Sequence, residues 1–384
     1  MLWILITLGL VAFIYFILIK PFKYWDYKAV PQPNILRLWV ENVRQILQLA
    51  SQADILTSFY NSSQGSRYAG SYQFLTPALI LKDPDLIKQI TVKDFDHFLD
   101  HNQFISEEQE PLWGKNLFAL KGDRWKDMRA TLSPSFTSSK MRAMFGFMIE
   151  CAEQFVRYFQ NGNTKTVTVE FKDAFTRYAN DVIASTAFGI TCDSLKDREN
   201  EFYIMGKEAT NFRGFWKNIK FLFIFICTPL SKLLGIKMFD TRVSEFFRRL
   251  VKTNMESREK NGIVRPDMIH LLMEARKGRL RHEQSDGVID TGFAVIEESN
   301  VGKEEKRQKK QLSDDDVTAQ ALIFFFAGFE SVSTLMCFVV YELAVNPDAQ
   351  QKLREEIDET LKNCNGSLTY EALLKMKYMD MVIS

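Results

Sequence analysis

Two short stretches carry residue types from which chemistry can be built. The first is Ala327-Gly328-Phe329-Glu330-Ser331, which sets a small residue, a glycine, a carboxylate and a hydroxyl inside an otherwise apolar helix, each a poor choice for helix stability. A local violation of that kind is where function is expected. Ala327 and Gly328 remove side-chain bulk so that something flat can approach the backbone, while Ser331 can bond back to the Ala327 carbonyl and open a groove. Glu330 supplies an ionisable proton donor, and the pair could pass protons to a buried reactant. The second stretch is Trp125-Lys126-Asp127-Met128-Arg129. Trp125 and Arg129 are four apart and share a helix face, offering an indole N–H and a guanidinium fork suited to carboxylates.

Plainer readings of the same residues remain open. Gly328 can serve helix packing alone, Glu330 can be a satisfied member of an ion pair, and Arg129 can lie over Trp125 on an ordinary amphipathic surface. The apolar segment itself could be a second membrane span, but that would carry Glu330 near mid-bilayer at about 2.5 kcal/mol or more before pairing. Burial inside protein, with the motif at its deepest point, is the expected arrangement.

The element that must position the first motif is a long helix. Ser313 is a hydroxyl cap, Asp314, Asp315 and Asp316 fill the first turn at the positive end of the dipole, and Pro347 forbids the helical conformation for Asn346. At the usual rise this helix is about 48 Å long. Upstream, apolar residues recur every three or four positions over Met141 to Phe159, Phe171 to Phe188, Phe239 to Glu259 and Arg265 to Arg276, predicting further helices. Arg67 to Leu81 reads as two strands around a turn, after which Asp83 and Pro84 open a helix. Phe212 to Phe239 is aromatic but broken by Lys220, Pro229 and Gly235, which suits paired short helices able to touch a bilayer surface. Lys277 to Gln311 loses periodicity and reads as a mobile surface connection.

Residues Leu2 to Ile19 carry no charge and make a helix of about 27 Å, close to the hydrocarbon thickness of a bilayer. No small-residue cleavage pattern follows, so an uncleaved anchor is expected at 1–20, with a proline-containing linker at 21–34 and one catalytic domain at 35–384. Lys20, Lys23 and Lys28 follow the span and place the rest on the cytoplasmic side. That agrees with five widely spaced cysteines, Cys151, Cys192, Cys227, Cys337 and Cys364, read as free thiols in a reducing compartment. The chain has four histidines, of which only His97 and His101 are near neighbours, so a zinc site is not the source of chemistry. With 49 Lys+Arg against 48 Asp+Glu there is no basic face for nucleic acid, and 32 Phe among 384 residues supply a core far larger than a disordered chain carries.

The sequence resembles the microsomal cytochromes P450, haem-thiolate monooxygenases, and most resembles their insect and vertebrate drug- and toxin-metabolising members. The matches are W-x-x-x-R at Trp125 and Arg129 followed by Leu132-Ser133-Pro134-Ser135-Phe136, and the A-G-x-E-[TS] pattern at Ala327, Gly328, Glu330 and Ser331. Tyr341-Glu342-Leu343-Ala344, Asn346-Pro347, Gln351 to Ile357 and Tyr378 to Ile383 follow in the same order as in that family. The resemblance implies a mainly α fold with a small β portion. It implies haem as cofactor, with Trp125, Arg129 and His101 toward its propionates and Ala327 and Gly328 over the porphyrin face. Glu330 and Ser331 would relay protons to bound dioxygen, and Phe326 would line the substrate pocket.

It further implies electrons from NADPH through a membrane reductase, a small haem electron-transfer protein as a further partner, a lipophilic substrate, and the endoplasmic reticulum as location. Two departures matter. No cysteine here stands in the family's ligand context, and the family's E-x-x-R pair and ligand cysteine lie downstream of the Tyr378 to Ile383 stretch, so the thiolate is expected beyond Ser384 and residues 1–384 alone are expected to be inactive. The rival expectation is a non-catalytic membrane protein that keeps part of the fold for binding or dimerisation. Second, Ser331 stands where the family usually has threonine; it keeps the hydroxyl but lacks the methyl group that restricts χ1.

Overall fold

Polar caps and prolines set most of the element boundaries. A computed structural model describes residues 4, 8–9, 12, 15–47, 49–63, 65–73, 76–102, 105–161, 166–212, 214–226, 228–277 and 312–384. Most of the expected span at 2–19, Cys227 and the aperiodic stretch 278–311 lie outside the described residues. Among the described residues the chain is mainly α with one two-stranded sheet. It falls into two compact units, Met1–Phe104 with Phe212–Ile236, and Ile105–Asn211 with Lys237–Ser384.

In the first unit, helix α1 (Ile35–Ile46) starts at Asn34, whose side chain accepts from the Arg37 N–H. Helix α2 (Gln52–Ser62) starts at a capping box between Ser51 and Asp54. Strands β1 (Tyr68–Gln73) and β2 (Thr76–Leu81) pair antiparallel, with Tyr68 opposite Leu81 and Gln73 opposite Thr76. A two-stranded ribbon is marginal alone. Here Tyr72 joins Phe22, Leu38, Ile55 and Phe59 in a small core, and the Trp25 indole donates to the Ser71 carbonyl at 2.9 Å. Asp83 caps the short helix Pro84–Lys88 as expected, and the aromatic stretch forms two short helices, Phe215–Ile226 and Thr228–Leu233.

The second unit is helical. Its helices are α3 (Gly122–Leu132), α4 (Ser138–Gln160), α5 (Phe171–Ile183), α6 (Glu201–Thr210), α7 (Thr241–Asn261), α8 (Met268–Arg276) and α9 (Asp314–Val345), with α5 to α8 packed on α9, and α10 (Pro347–Asn363) follows it. Phe188, Phe202, Phe247, Phe325 and Phe329 form the centre, with Phe325 and Phe329 stacked at 4.9 Å. Each such ring contributes roughly 1.5–3 kcal/mol of transfer free energy. Gly206 of α6 is required there, because a Cβ would collide with the edge of the Phe325 ring.

Helix α9 begins as the sequence predicts, with Ser313 and Asp316 in a reciprocal capping box, and it ends at Asn346 before Pro347. Among the described residues it is the one helix long and apolar enough to cross a membrane. Its first half nevertheless lies in the protein core, where Val317, Ala321, Leu322, Phe325 and Phe329 belong to the central cluster. The expectation that the polar motif marks the deepest point is corrected here. Burial is greatest over Val317–Leu322, whereas Ala327, Glu330 and Ser331 are exposed, and beyond Ser333 the helix bares Leu335, Phe338, Tyr341 and Val345. The cause is that buried positions continue only at four-residue intervals, Phe325 and Phe329 against rings of α6 and α7 and Ser333 beside Lys172 of α5.

Candidate active site

Helix α9 presents two different faces at the motif. Ala327 and Ser331, one turn apart, share the exposed face, and the Ser331 hydroxyl donates to the Ala327 carbonyl as its spacing predicts. This turns the hydroxyl back onto its own helix and leaves its lone pairs facing outward. Gly328 is placed otherwise. The space its missing side chain leaves is taken by the Ile183 side chain at the end of α5, where a Cβ would overlap the Ile183 terminal methyl.

Glu330 has a partner that sequence reasoning did not supply. Lys172, in the first turn of α5, places its ammonium 3.0 Å from a Glu330 carboxylate oxygen and donates to Ser333 at 3.0 Å and Thr334 at 2.8 Å. The pair is open to water, with side chains 40% and 55% exposed, so its Coulomb energy is small but the carboxylate is in contact with bulk solvent. Nothing in the sequence around Lys172 marks it. Its only local signal is that it follows Glu170, whose side chain accepts the backbone N–H groups of Lys172 and Asp173 and caps α5.

Trp125 and Arg129 lie on α3, both half-buried, and Trp125 packs against the central cluster. The Arg129 guanidinium has no hydrogen-bond or ion-pair partner among the described residues, while its backbone carbonyl accepts from the Ser133 hydroxyl at 2.8 Å. A half-buried guanidinium with its five donors uncommitted fits an acidic group of a ligand, so the donor set suits the propionates of a haem. His101 is exposed and belongs to the first unit.

Phe326 sits between the core and an aromatic group in which Trp113 meets it edge-on at 6.0 Å and Phe239 lies 5.7 Å from it. Near that group Glu110 is buried, and burial pushes its carboxyl above the usual range, against the opposing pull of the Phe239 N–H at 3.4 Å, the charges of Arg248 and Lys237, and the Leu112 N–H. Cys151 and Cys192 are buried thiols, both pushed up to about 12 by burial, with Asp181 nearby adding to the effect. Free thiols of that kind stay protonated at neutral pH. Cys337 on α9 and Cys364 at the end of α10 are partly exposed.

A family model described as Cytochrome P450 matches residues 36–384. The sequence is 48% identical over 354 residues to Cytochrome P450 9e2 of Blattella germanica, an overlap of 88% of this chain and 64% of that protein. It is 40% identical over 344 residues to Cytochrome P450 9b2 of Drosophila melanogaster, covering 88% of this chain and 62% of the relative. With Cytochrome P450 6k1 of Blattella germanica the identity is 34% over 382 residues, 99% of this chain and 70% of the relative. The chain thus spans just under two thirds of the length of the more similar relatives.

Proposed function

Since the chain belongs to the cytochrome P450 family, we propose that it forms the greater part of a haem-dependent monooxygenase that inserts one oxygen atom of O2 into lipophilic small molecules. Electrons come from NADPH through a membrane reductase, with a small haem electron-transfer protein as a second donor. The enzyme sits on the endoplasmic reticulum membrane, with its catalytic part on the cytoplasmic side. Haem bound by a thiolate supplies dioxygen binding and activation. The polar interruption from Ala327 to Ser331 carries the reading, because a hydroxyl and a solvent-touching carboxylate are adjacent on a helix whose first half is fixed in the core.

Arg129, with Trp125 one turn before it, holds the acidic edge of the haem. Ala327, small and exposed, gives a flat group room against α9. Glu330 takes protons from water at its carboxylate while Lys172 holds it in place, and Ser331 passes them on at its hydroxyl oxygen after leaving the Ala327 carbonyl. Phe326 and the rings around it form an apolar wall for the substrate. The thiolate comes from a cysteine outside residues 1–384, since none of the five cysteines here stands in the family's ligand context.

Reduced and treated with carbon monoxide, residues 1–384 alone should give no thiolate-type band. A protein extended to the length of the relatives should give the band and oxidise a lipophilic probe with NADPH and reductase. A thiolate-type band from residues 1–384 overturns the ligand assignment. An extended protein that consumes no NADPH in the presence of reductase and probe overturns the function.

A further inference from the structure

Gln320 is the one polar side chain between Thr318 and Glu330 on α9, and it is fully buried. Its amide grips the backbone of another segment from both ends: the oxygen accepts the Leu117 N–H at 2.8 Å and the nitrogen donates to the Lys115 carbonyl at 2.7 Å. A single orientation of the amide satisfies both groups, so the clamp fixes side chain and segment together. Lys115 is held again one turn earlier on α9, where its ammonium lies 3.8 Å from Asp316. Within the gripped segment the Trp113 carbonyl accepts the Asn116 N–H at 3.3 Å, and the buried Asn116 side chain accepts the Ala119 N–H at 2.9 Å. Gly114 is required beside them, because a Cβ would collide with the Glu107 backbone. The turn is therefore stiff, and where Gln320 holds it decides where Trp113 stands.

We propose that Gln320 is a positioning residue for substrate selection: by clamping residues 115–117 to α9 it sets the Trp113 ring edge-on to Phe326 and so fixes the width of the aromatic wall. Packing alone does not call for an amide at this point. Val317, Ala321, Leu322 and Phe325 fill the same stretch of α9 with apolar groups, and a buried amide adds a desolvation cost that its hydrogen bonds must offset. What the amide adds is direction, since two bonds to two backbone atoms fix a distance and a register that apolar contact leaves free. The consequence reaches the wall. Trp113 precedes Lys115 by two residues and meets Phe326 at 6.0 Å, Phe239 at 6.4 Å and Phe118 at 6.2 Å. Phe326 belongs to α9 itself, so the clamp and the ring contact tie the same turn to the same helix at two points. Without the clamp Trp113 is free to swing away from Phe326, and space opens for a larger ligand beside the rings.

The inference rests on the monooxygenase reading and on Phe326 as part of the substrate wall. It is tested on the protein extended to the length of the relatives, with reductase and NADPH, using ethoxybenzene and ethoxypyrene as a small and a large probe and acetaldehyde as the product measured. Gln320→Met keeps the length and volume of the side chain and removes both bonds. The ratio of kcat/KM for the larger over the smaller ether should rise about fivefold or more, through KM, with the carbon-monoxide band intact. Trp113→Ala should raise the ratio as well, and adding Gln320→Met to it should change nothing further, which a merely structural loss would not produce. Gln320→Asn, which withdraws the amide by one carbon, decides the first comparison should Gln320→Met lose the band. A ratio that does not rise, or a double variant in which the two effects multiply, overturns the inference while the monooxygenase reading stands. An unsubstituted protein that oxidises neither ether overturns that reading and the inference with it.

Discussion

Two ion pairs tie helices together in the second unit, and they are built for opposite ends. Arg258 of α7 and Asp267, the cap of α8, are 4% and 0% exposed and meet through two parallel bonds of 2.6 and 2.7 Å. Arg265 adds a contact of 3.2 Å to the same carboxylate, and Asp267 also accepts the His270 N–H. Gly189, with φ of 65°, lets the chain turn directly over this pair, since a Cβ there would collide with the guanidinium. Lys172 and Glu330 make one contact of 3.0 Å in the open. The first pair is locked by burial and geometry, so it can only hold structure. The second is loose and wet, so its carboxylate can exchange protons and change rotamer without unfolding anything.

This contrast can be broken most easily at its rigid end. Asp267→Ala strands the Arg258 charge in the core and removes the α8 cap, and should lose about 3–5 kcal/mol of stability in urea denaturation. A loss under about 1 kcal/mol would mean the buried pair is not what holds α7 to α8. Next in size are the two glycines on the α9 interface. Gly206→Ala forces a methyl into the edge of the rigid Phe325 ring and should cost about 1–3 kcal/mol. Gly328→Ala meets only the flexible end of Ile183 and gains up to about 1 kcal/mol in helix propensity, so it should be close to neutral.

Glu110 sharpens the comparison from the acid side, as a buried carboxyl without a cation bonded to it. Its folded-state pKa is raised by burial, so the folded protein holds this proton more tightly than the unfolded chain does. Stability is therefore fully present below the unfolded value, near about 4.3, and falls as pH rises through the folded value. Glu110→Gln should flatten that part of the urea midpoint against pH; an unchanged slope would show that burial does not govern the group. A small stability effect is also expected for Lys172→Met, within about 1 kcal/mol, because both side chains are well exposed. Its consequence should instead appear in the proton supply of the extended enzyme, as a changed ratio of peroxide to NADPH.

Much of the scaffold was legible because local chemistry wrote it. The Ser313 cap with its three aspartates, the stop at Pro347, the Asp83 cap, the hairpin after Arg67 and the bond from Ser331 to Ala327 all appear where spacing put them. What sequence could not supply were contacts made over long separations. Lys172 and Glu330 are brought together only by the packing of α5 on α9, and an all-round apolar helix gives no sign of which half is covered. The same holds for α1, where the exposed Leu36, Val40, Val43 and Leu47 would serve equally well as a core face. At Gly328 the identity of the residue was informative but its neighbour was not, since a porphyrin and an isoleucine both ask for a missing side chain.

The most direct test of the proton-relay account is peroxide released per NADPH consumed by the extended enzyme with Ser331 as it is, and changed to Thr and to Ala. Threonine restores the β-methyl that narrows χ1 and should lower the ratio, while alanine removes the hydroxyl and should raise it several-fold with the carbon-monoxide band intact. Equal ratios for all three proteins would contradict the account, since the hydroxyl on the exposed face of α9 would then have no part in delivering protons.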